Sequence, residues 1–180
     1  MTPPVFTVGH SNRTLAAFLE ILQAHGVLRI VDVRRHPHSR KWPHFDAEPL
    51  AESLRAAGID CVGMPELGGR RKPRPDSQHT AWRVEAFRGY ADFMDTPEFH
   101  AALERLVALS KTAPTALMCA EALPWRCHRS LIADALLARR IPVREILSEK
   151  EARSRELPAF ARLDGERVVY DVGELPLSGG

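Results

Sequence analysis

Short apolar runs rich in Val and Ile alternate along this chain with amphipathic stretches of helical period. That alternation narrows the choice of fold more than any other feature. Residues 5–8 read as a strand stopped at Gly9, and residues 28–33 as a second, carrying Ile30, Val31 and Val33. Between them Leu15, Phe18, Leu19 and Leu22 fall at helical spacing over 14–25. Ser11 and Asn12 are the candidate caps of this helix, and Gly26 stops it. Asp46 stands as an N-cap before a helix over 47–57, and residues 60–64 make a third strand with Cys61 in its core. Residues 65–84 are rich in Pro and Gly without apolar period, and read as a long, flexible loop.

The second half continues the pattern. Helices are expected over 85–94 and, from the Thr96-Pro97-Glu98 start, to about 111. A strand follows at 115–119, a helix over 127–139, and a short strand at 143–146. These elements define an α/β domain over 1–147, a single three-layer Rossmann-like unit with a mostly parallel sheet flanked by helices. Residues 148–180 form a C-terminal extension with a hairpin signal at Asp164-Gly165, and Gly179-Gly180 reads as a flexible end.

Composition excludes several classes. The chain has 180 residues with 25 Lys+Arg against 23 Asp+Glu, enough apolar content for one core, and a charge too weakly basic to imply nucleic acid by itself. No apolar run approaches the roughly 18–20 residues of a membrane helix. MTPPVFTVGH lacks the basic and apolar regions of a signal peptide, so a cytoplasmic location is expected. Three cysteines do not make a disulfide framework.

In open parallel sheets ligands bind beyond the carboxyl ends of the strands, and the ionisable residues gather there. After the first strand come His10, Ser11 and Asn12; after the second Asp32, Arg34, Arg35 and His36; after the third Glu66, Gly68 and Gly69. After the fourth come Cys119 and Glu121, then Arg126, Cys127, His128 and Arg129.

These segments carry a resemblance. TVGHSNR at 7–13, VDVRRHPHSR at 31–40, PELGGRR at 65–71, WRVEAFRGYADFM at 82–94 and ALMCAEALPWRCHRSLIADAL at 116–136 resemble the bacterial family called domain of unknown function 488. The resemblance implies a small α/β fold and assigns no activity.

Chemistry must be read from the residues themselves. Cys119 ends a strand and faces the start of the next helix, where free N–H groups and nearby arginines favour a thiolate. It is the expected nucleophile or redox thiol; its bland alternative is a small core residue. Glu121 or Asp32 would move protons, with an ion pair to Arg34 or Arg126 as the structural alternative, and His10 would act as a general acid or cap. Arg34, Arg126 and Arg129, with Ser11, Asn12, Cys127 and His128, would hold the anionic group of a phosphate- or nucleotide-bearing substrate. No cofactor is expected; the alternatives are a zinc ion on Cys119, Cys127 and His128, with His10 as a further ligand, or a Cys119–Cys127 resolving pair. His36, His38 and His44 sit in a Pro-interrupted loop of undetermined geometry. The loops around Arg35, Arg40, Lys41 and around Arg70, Arg71, Lys72 and Arg74 are basic, with Trp42, Phe45 and Trp82 able to stack on bases. The rival class is therefore a non-catalytic nucleotide or nucleic-acid binding module using the same edge, and a third reading makes that edge a protein interface.

Overall fold

The computed structural model describes residues 2–172. β1 (Val5–Gly9), β2 (Arg29–Asp32), β3 (Asp60–Gly63), β4 (Thr115–Cys119), β5 (Val143–Ile146) and β6 (Ala152–Ser154) form a six-stranded sheet in the order β3-β2-β4-β1-β5-β6. β1 to β5 are parallel, and β6 returns antiparallel to β5. α1 (Leu15–Ala24) and α2 (Ala47–Ala56) cover one face. α3 (Glu85–Phe93), α4 (Pro97–Ser110) and α5 (Arg129–Ala138) cover the other. This is the three-layer, Rossmann-like α/β arrangement expected from the alternation.

The period of two along each strand divides the core. Ile30, Ala116 and Met118 pack with Phe18, Leu22, Leu50 and Leu54, while Val31, Leu117 and Cys119 pack with Tyr90, Phe99, Leu106 and Leu131. Cys119 therefore points to the face that α5 covers. β1 and β4 are neighbours, yet the helices that follow them leave on opposite faces. The carboxyl ends of these two strands thus open a crevice at the topological switch point, the place where such sheets take ligands.

Helix ends depart from the sequence expectation in instructive ways. Thr14, not Ser11 or Asn12, caps α1, accepting from Ala17 N at 3.1 Å. Ser11 instead adopts a left-handed φ of 51°. Asp46 occupies the cap position of α2, but its carboxylate accepts from Ser39 N at 2.6 Å and from His38, pinning the basic loop. α5 starts at Arg129, after a 3-10 turn at Pro124–Arg126, rather than at Cys127. Cys61 lies on edge strand β3 and is half-buried rather than core.

The long loop is anchored, not free. Asp92 accepts from Arg74 N at 2.8 Å and Ser77 Oγ at 2.7 Å, and buried His79 meets Asp95 at 2.9 Å. Arg71 lies over the Phe93 ring and donates to the carbonyls of Gly68 and Glu66. Gly89 of α3 lets the Arg71–Lys72 backbone pass where a Cβ would collide with it.

Beyond β5 the chain packs back on the same body. β7 (Arg162–Asp164) and β8 (Arg167–Val169) make the expected hairpin, with Gly165 at φ 62°. β6 was not legible in its charged segment. The Tyr170 hydroxyl donates to Asp134 of α5 at 2.7 Å, and Arg155 bridges Asp134 and Glu145 at 2.9 and 3.1 Å. Gly179-Gly180 lies outside the described residues. Among those described, no helix is long and apolar enough to cross a membrane.

Candidate functional site

β1 and β4 stay paired beyond their last strand residues: His10 N donates to Cys119 O at 2.9 Å and Ser11 N to Ala120 O at 3.0 Å. The two backbones run so close that a Cβ on Gly9 would fall inside the carbonyl of Glu121. Gly9→Ala should therefore push the 119–122 segment away and cost about 2 kcal/mol, the scale of overpacking a tight core. Chemical denaturation would read the loss. A variant as stable as the parent would mean the segment yields freely.

A cleft of about 830 Å³ opens over this junction. Cys119, Cys127 and His128 line it together with His10, Ser11 and Asn12. Arg34, Arg35, Lys41, Arg70 and Arg126 bring positive charge to its walls, Glu121 is the acid among the lining residues, and Trp42 and Phe87 supply aromatic surface. A cleft so lined carries a net positive potential.

Arg129 is the residue that reorganises the picture. Expected to hold the substrate's anion, it is fully buried and does not line the cleft. Its guanidinium donates to the carbonyl of Glu121, to Ala122 O at 3.1 Å and to Cys119 Sγ at 2.6 Å, while its Nε has no partner. Among the described residues no carboxylate lies within 4.0 Å of it. Cys127 Sγ donates to Cys119 Sγ at 2.7 Å. Burial opposes ionisation of Cys119, but the hydrogen bond from Cys127 and the Arg129 charge outweigh it and bring the thiol down to about 7. Cys127 moves the other way: donating to Cys119, and buried, it stays a thiol.

His128 is partly buried in the cleft wall. Its Nε2 lies 3.1 Å from Val33 O and donates to it, which leaves Nδ1 as an acceptor 3.6 Å from Cys127 Sγ. Burial lowers its pKa to about 4, so the ring is neutral at pH 7. His10 is likewise neutral, brought to about 4 by burial; it stacks on Phe45 at 4.2 Å and hydrogen-bonds Ser11 O at 2.9 Å. A neutral His10 that receives Arg34 Nη1 at 3.3 Å is an acceptor, not the general acid expected.

Asp32 is not in the main cleft. Arg34 forks onto its carboxylate at 2.9 and 2.7 Å, and Asp32 faces a second hollow of about 540 Å³ with Cys61. The expected pairs Asp32–Arg126 and Glu121–Arg34 are thus replaced by Asp32–Arg34, two residues apart. Burial pushes the Cys61 thiol up to about 11. Trp82 packs against Phe87, Phe160 and Tyr170, and Phe45 is buried, so Trp42 alone of the three expected stacking rings lines the cleft.

Sequence reasoning missed Phe87 of α3 and placed Arg70 in free loop charge. The signal for Arg70 was its place next to Gly68-Gly69 in the loop that follows the third strand. Among the described residues, the donors close enough together to hold a metal are His79, Asp92 and Asp95, whose atoms are already engaged by Tyr170 N, Arg74 N, Ser77 and Arg167. No curated protein and no solved structure gives a match to the chain. The profile of one family, domain of unknown function DUF488, matches residues 14–136 of the 180. The match takes in β4, the Cys119–Cys127 segment and all but the last two residues of α5, and the chain belongs to that family.

Proposed function

We propose that the protein is a thiol-dependent enzyme in which Cys119, as a thiolate, attacks a small anionic substrate held in the basic cleft. One observation carries this reading. A guanidinium removed from water needs a counter-charge, and the group that Arg129 meets with the capacity to be negative is Cys119. A cysteine kept only to fill the core would not be given a buried cation.

The chemistry follows from that pairing. Arg129 holds the sulfur ionised and oriented, and its other nitrogen bonds fix the 121–122 carbonyls that shape the cleft floor. Arg35, Lys41, Arg70 and Arg126 offer charge-assisted bonds to phosphate or carboxylate oxygens, and Trp42 offers a face for a base or other flat ring. Glu121, the acid in the cleft lining, exchanges a proton with bound substrate in this reading. A pure binding module could use the same walls but has no need of the buried thiolate.

Brief iodoacetamide treatment across pH 5–9, read by peptide mass mapping, tests the nucleophile. Cys119 should label first, with a midpoint near 7, while Cys61 and Cys127 label slowly. Labelling of Cys119 only after unfolding would return it to the core and leave the binding module as the better reading.

A further inference from the structure

The second thiol is unexplained by a single nucleophile. Cys127 Sγ lies 2.7 Å from Cys119 Sγ, both line the cleft, and they come from opposite ends of the β4–α5 connection. A disulfide has sulfurs about 2.05 Å apart, so these two need close by only about 0.7 Å to bond. Cys127 also has what a second attack requires. The Nδ1 lone pair of His128 faces its sulfur at 3.6 Å to take the proton, and Arg129 N points at it from 3.5 Å to steady the charge that results. A displacement at phosphorus would use none of this. A zinc ion would compete with Arg129, whose cationic Nη1 already occupies the approach to Cys119 at 2.6 Å.

We infer that Cys119 and Cys127 act as a dithiol that reduces a small anionic disulfide, Cys119 attacking and Cys127 resolving. The inference rests on the thiolate reading above and names the electrophile as sulfur. In the first step the Cys119 thiolate attacks one sulfur of R–S–S–R′; a Cys119–S–S–R bond forms, the substrate S–S bond breaks, and R′S⁻ leaves with the electron pair. In the second, His128 takes the Cys127 proton and the new thiolate attacks Cys119 Sγ, forming the Cys119–Cys127 disulfide and expelling RS⁻. The proton passes from His128 to a departing thiolate. Two electrons have moved from the protein dithiol to the substrate, giving two substrate sulfurs in reduced form. A soluble dithiol reductant returns the protein disulfide to its starting state by the same exchange. The basic walls select disulfides that carry carboxylates.

The test uses the full chain with oxidised glutathione at pH 7, followed by intact mass and peptide mapping. The wild type should end as an intramolecular Cys119–Cys127 disulfide with two glutathione thiols released per chain. Cys127→Ser and Cys127→Ala should stop at a glutathione adduct on Cys119 that persists at least about tenfold longer than in the wild type, because the intramolecular attack is gone. His128→Gln should slow resolution more than it slows adduct formation. Bis(2-hydroxyethyl) disulfide, which is neutral, should react several-fold more slowly, and added salt should narrow the gap. An adduct equally long-lived in the wild type and Cys127→Ser overturns the resolving role. Fast alkylation of Cys119 with no reaction toward either disulfide overturns the inference while leaving the thiolate intact. If Cys119 fails to alkylate in the folded protein, both proposals fall together.

Discussion

Arg129→Met should slow alkylation of Cys119 at pH 7 by at least about tenfold and lower stability by about 3 kcal/mol. Two losses combine. The thiolate is deprived of the cation that offsets its burial, so its pKa moves back up toward and beyond that of an ordinary cysteine. The carbonyls of Glu121 and Ala122 lose the buried donor that satisfies them, at a cost of about 1–3 kcal/mol for each such group. Arg129→Lys separates charge from shape: it restores a cation but not the planar fork, and should recover part of the reactivity with less of the stability. The measurements are alkylation rate against pH and urea unfolding of the same three proteins. If Met at this position leaves the pH midpoint of alkylation where it was, Arg129 is not the counter-charge of Cys119.

Arg155→Met should cost about 3–5 kcal/mol at pH 8 and markedly less at pH 5. Arg155 is the cation between Asp134, fully buried, and Glu145, nearly so, and removing one member of a buried ionic cluster strands the rest. The sign of the pH effect comes from Asp134. Burial raises its pKa, Arg155 and the Tyr170 hydroxyl pull it back, and the balance leaves it at about 6 against 3.8 for the ordinary group. A carboxyl that holds its proton more tightly in the native state weakens the fold as it ionises. This contribution is therefore absent below about pH 4 and fully present above about pH 6, on the order of 3 kcal/mol. Loss of Arg155 raises that pKa further, so acidification relieves the variant more than the parent. Urea unfolding at the two pH values reads the difference. A small loss that does not change with pH would show that the extension is held by Tyr170 and its apolar neighbours alone.

What could be seen in the chain before its structure follows physical lines. Strands β1, β2 and β4 were visible because buried parallel strands are nearly continuous apolar runs, Ile30-Val31 and Ala116-Leu117-Met118 being clear cases. β6 was not, because Ala152-Arg153-Ser154 is an edge strand whose charged residue faces outward and forms no apolar run. Cys119, Cys127 and His128 could be named from the strand-end position, and the cleft brings them together. Their roles could not, since roles depended on partners. Arg129 opens a helix, where an arginine is ordinarily solvated; in the fold it is buried against Cys119 and the 121–122 carbonyls. Asp32 read as a proton carrier or as an ion-pair partner of Arg126, and the partner it takes is Arg34, two residues on. Thr14 was passed over for Ser11 because several polar residues precede α1, and only the backbone shows which one has the extended conformation of a cap.

The order of the strands bears on how this protein comes into being on a ribosome. β1 emerges first, yet both of its sheet neighbours, β4 and β5, belong to the second half of the chain, and β2 acquires only β3 before Thr115 appears. A nascent chain that ends short of β4 can pair β2 with β3 but cannot assemble the centre of the sheet, so its most apolar segments wait unpartnered for the span between Gly9 and Thr115 to be made. Assembly is consequently late and non-local. Cys119 enters the growing polypeptide with the same strand that completes the sheet's middle, and Arg129 follows within one short turn and the start of a helix. The thiol therefore cannot meet its guanidinium until the strand that completes the middle of the sheet and the start of the helix after it have both been made.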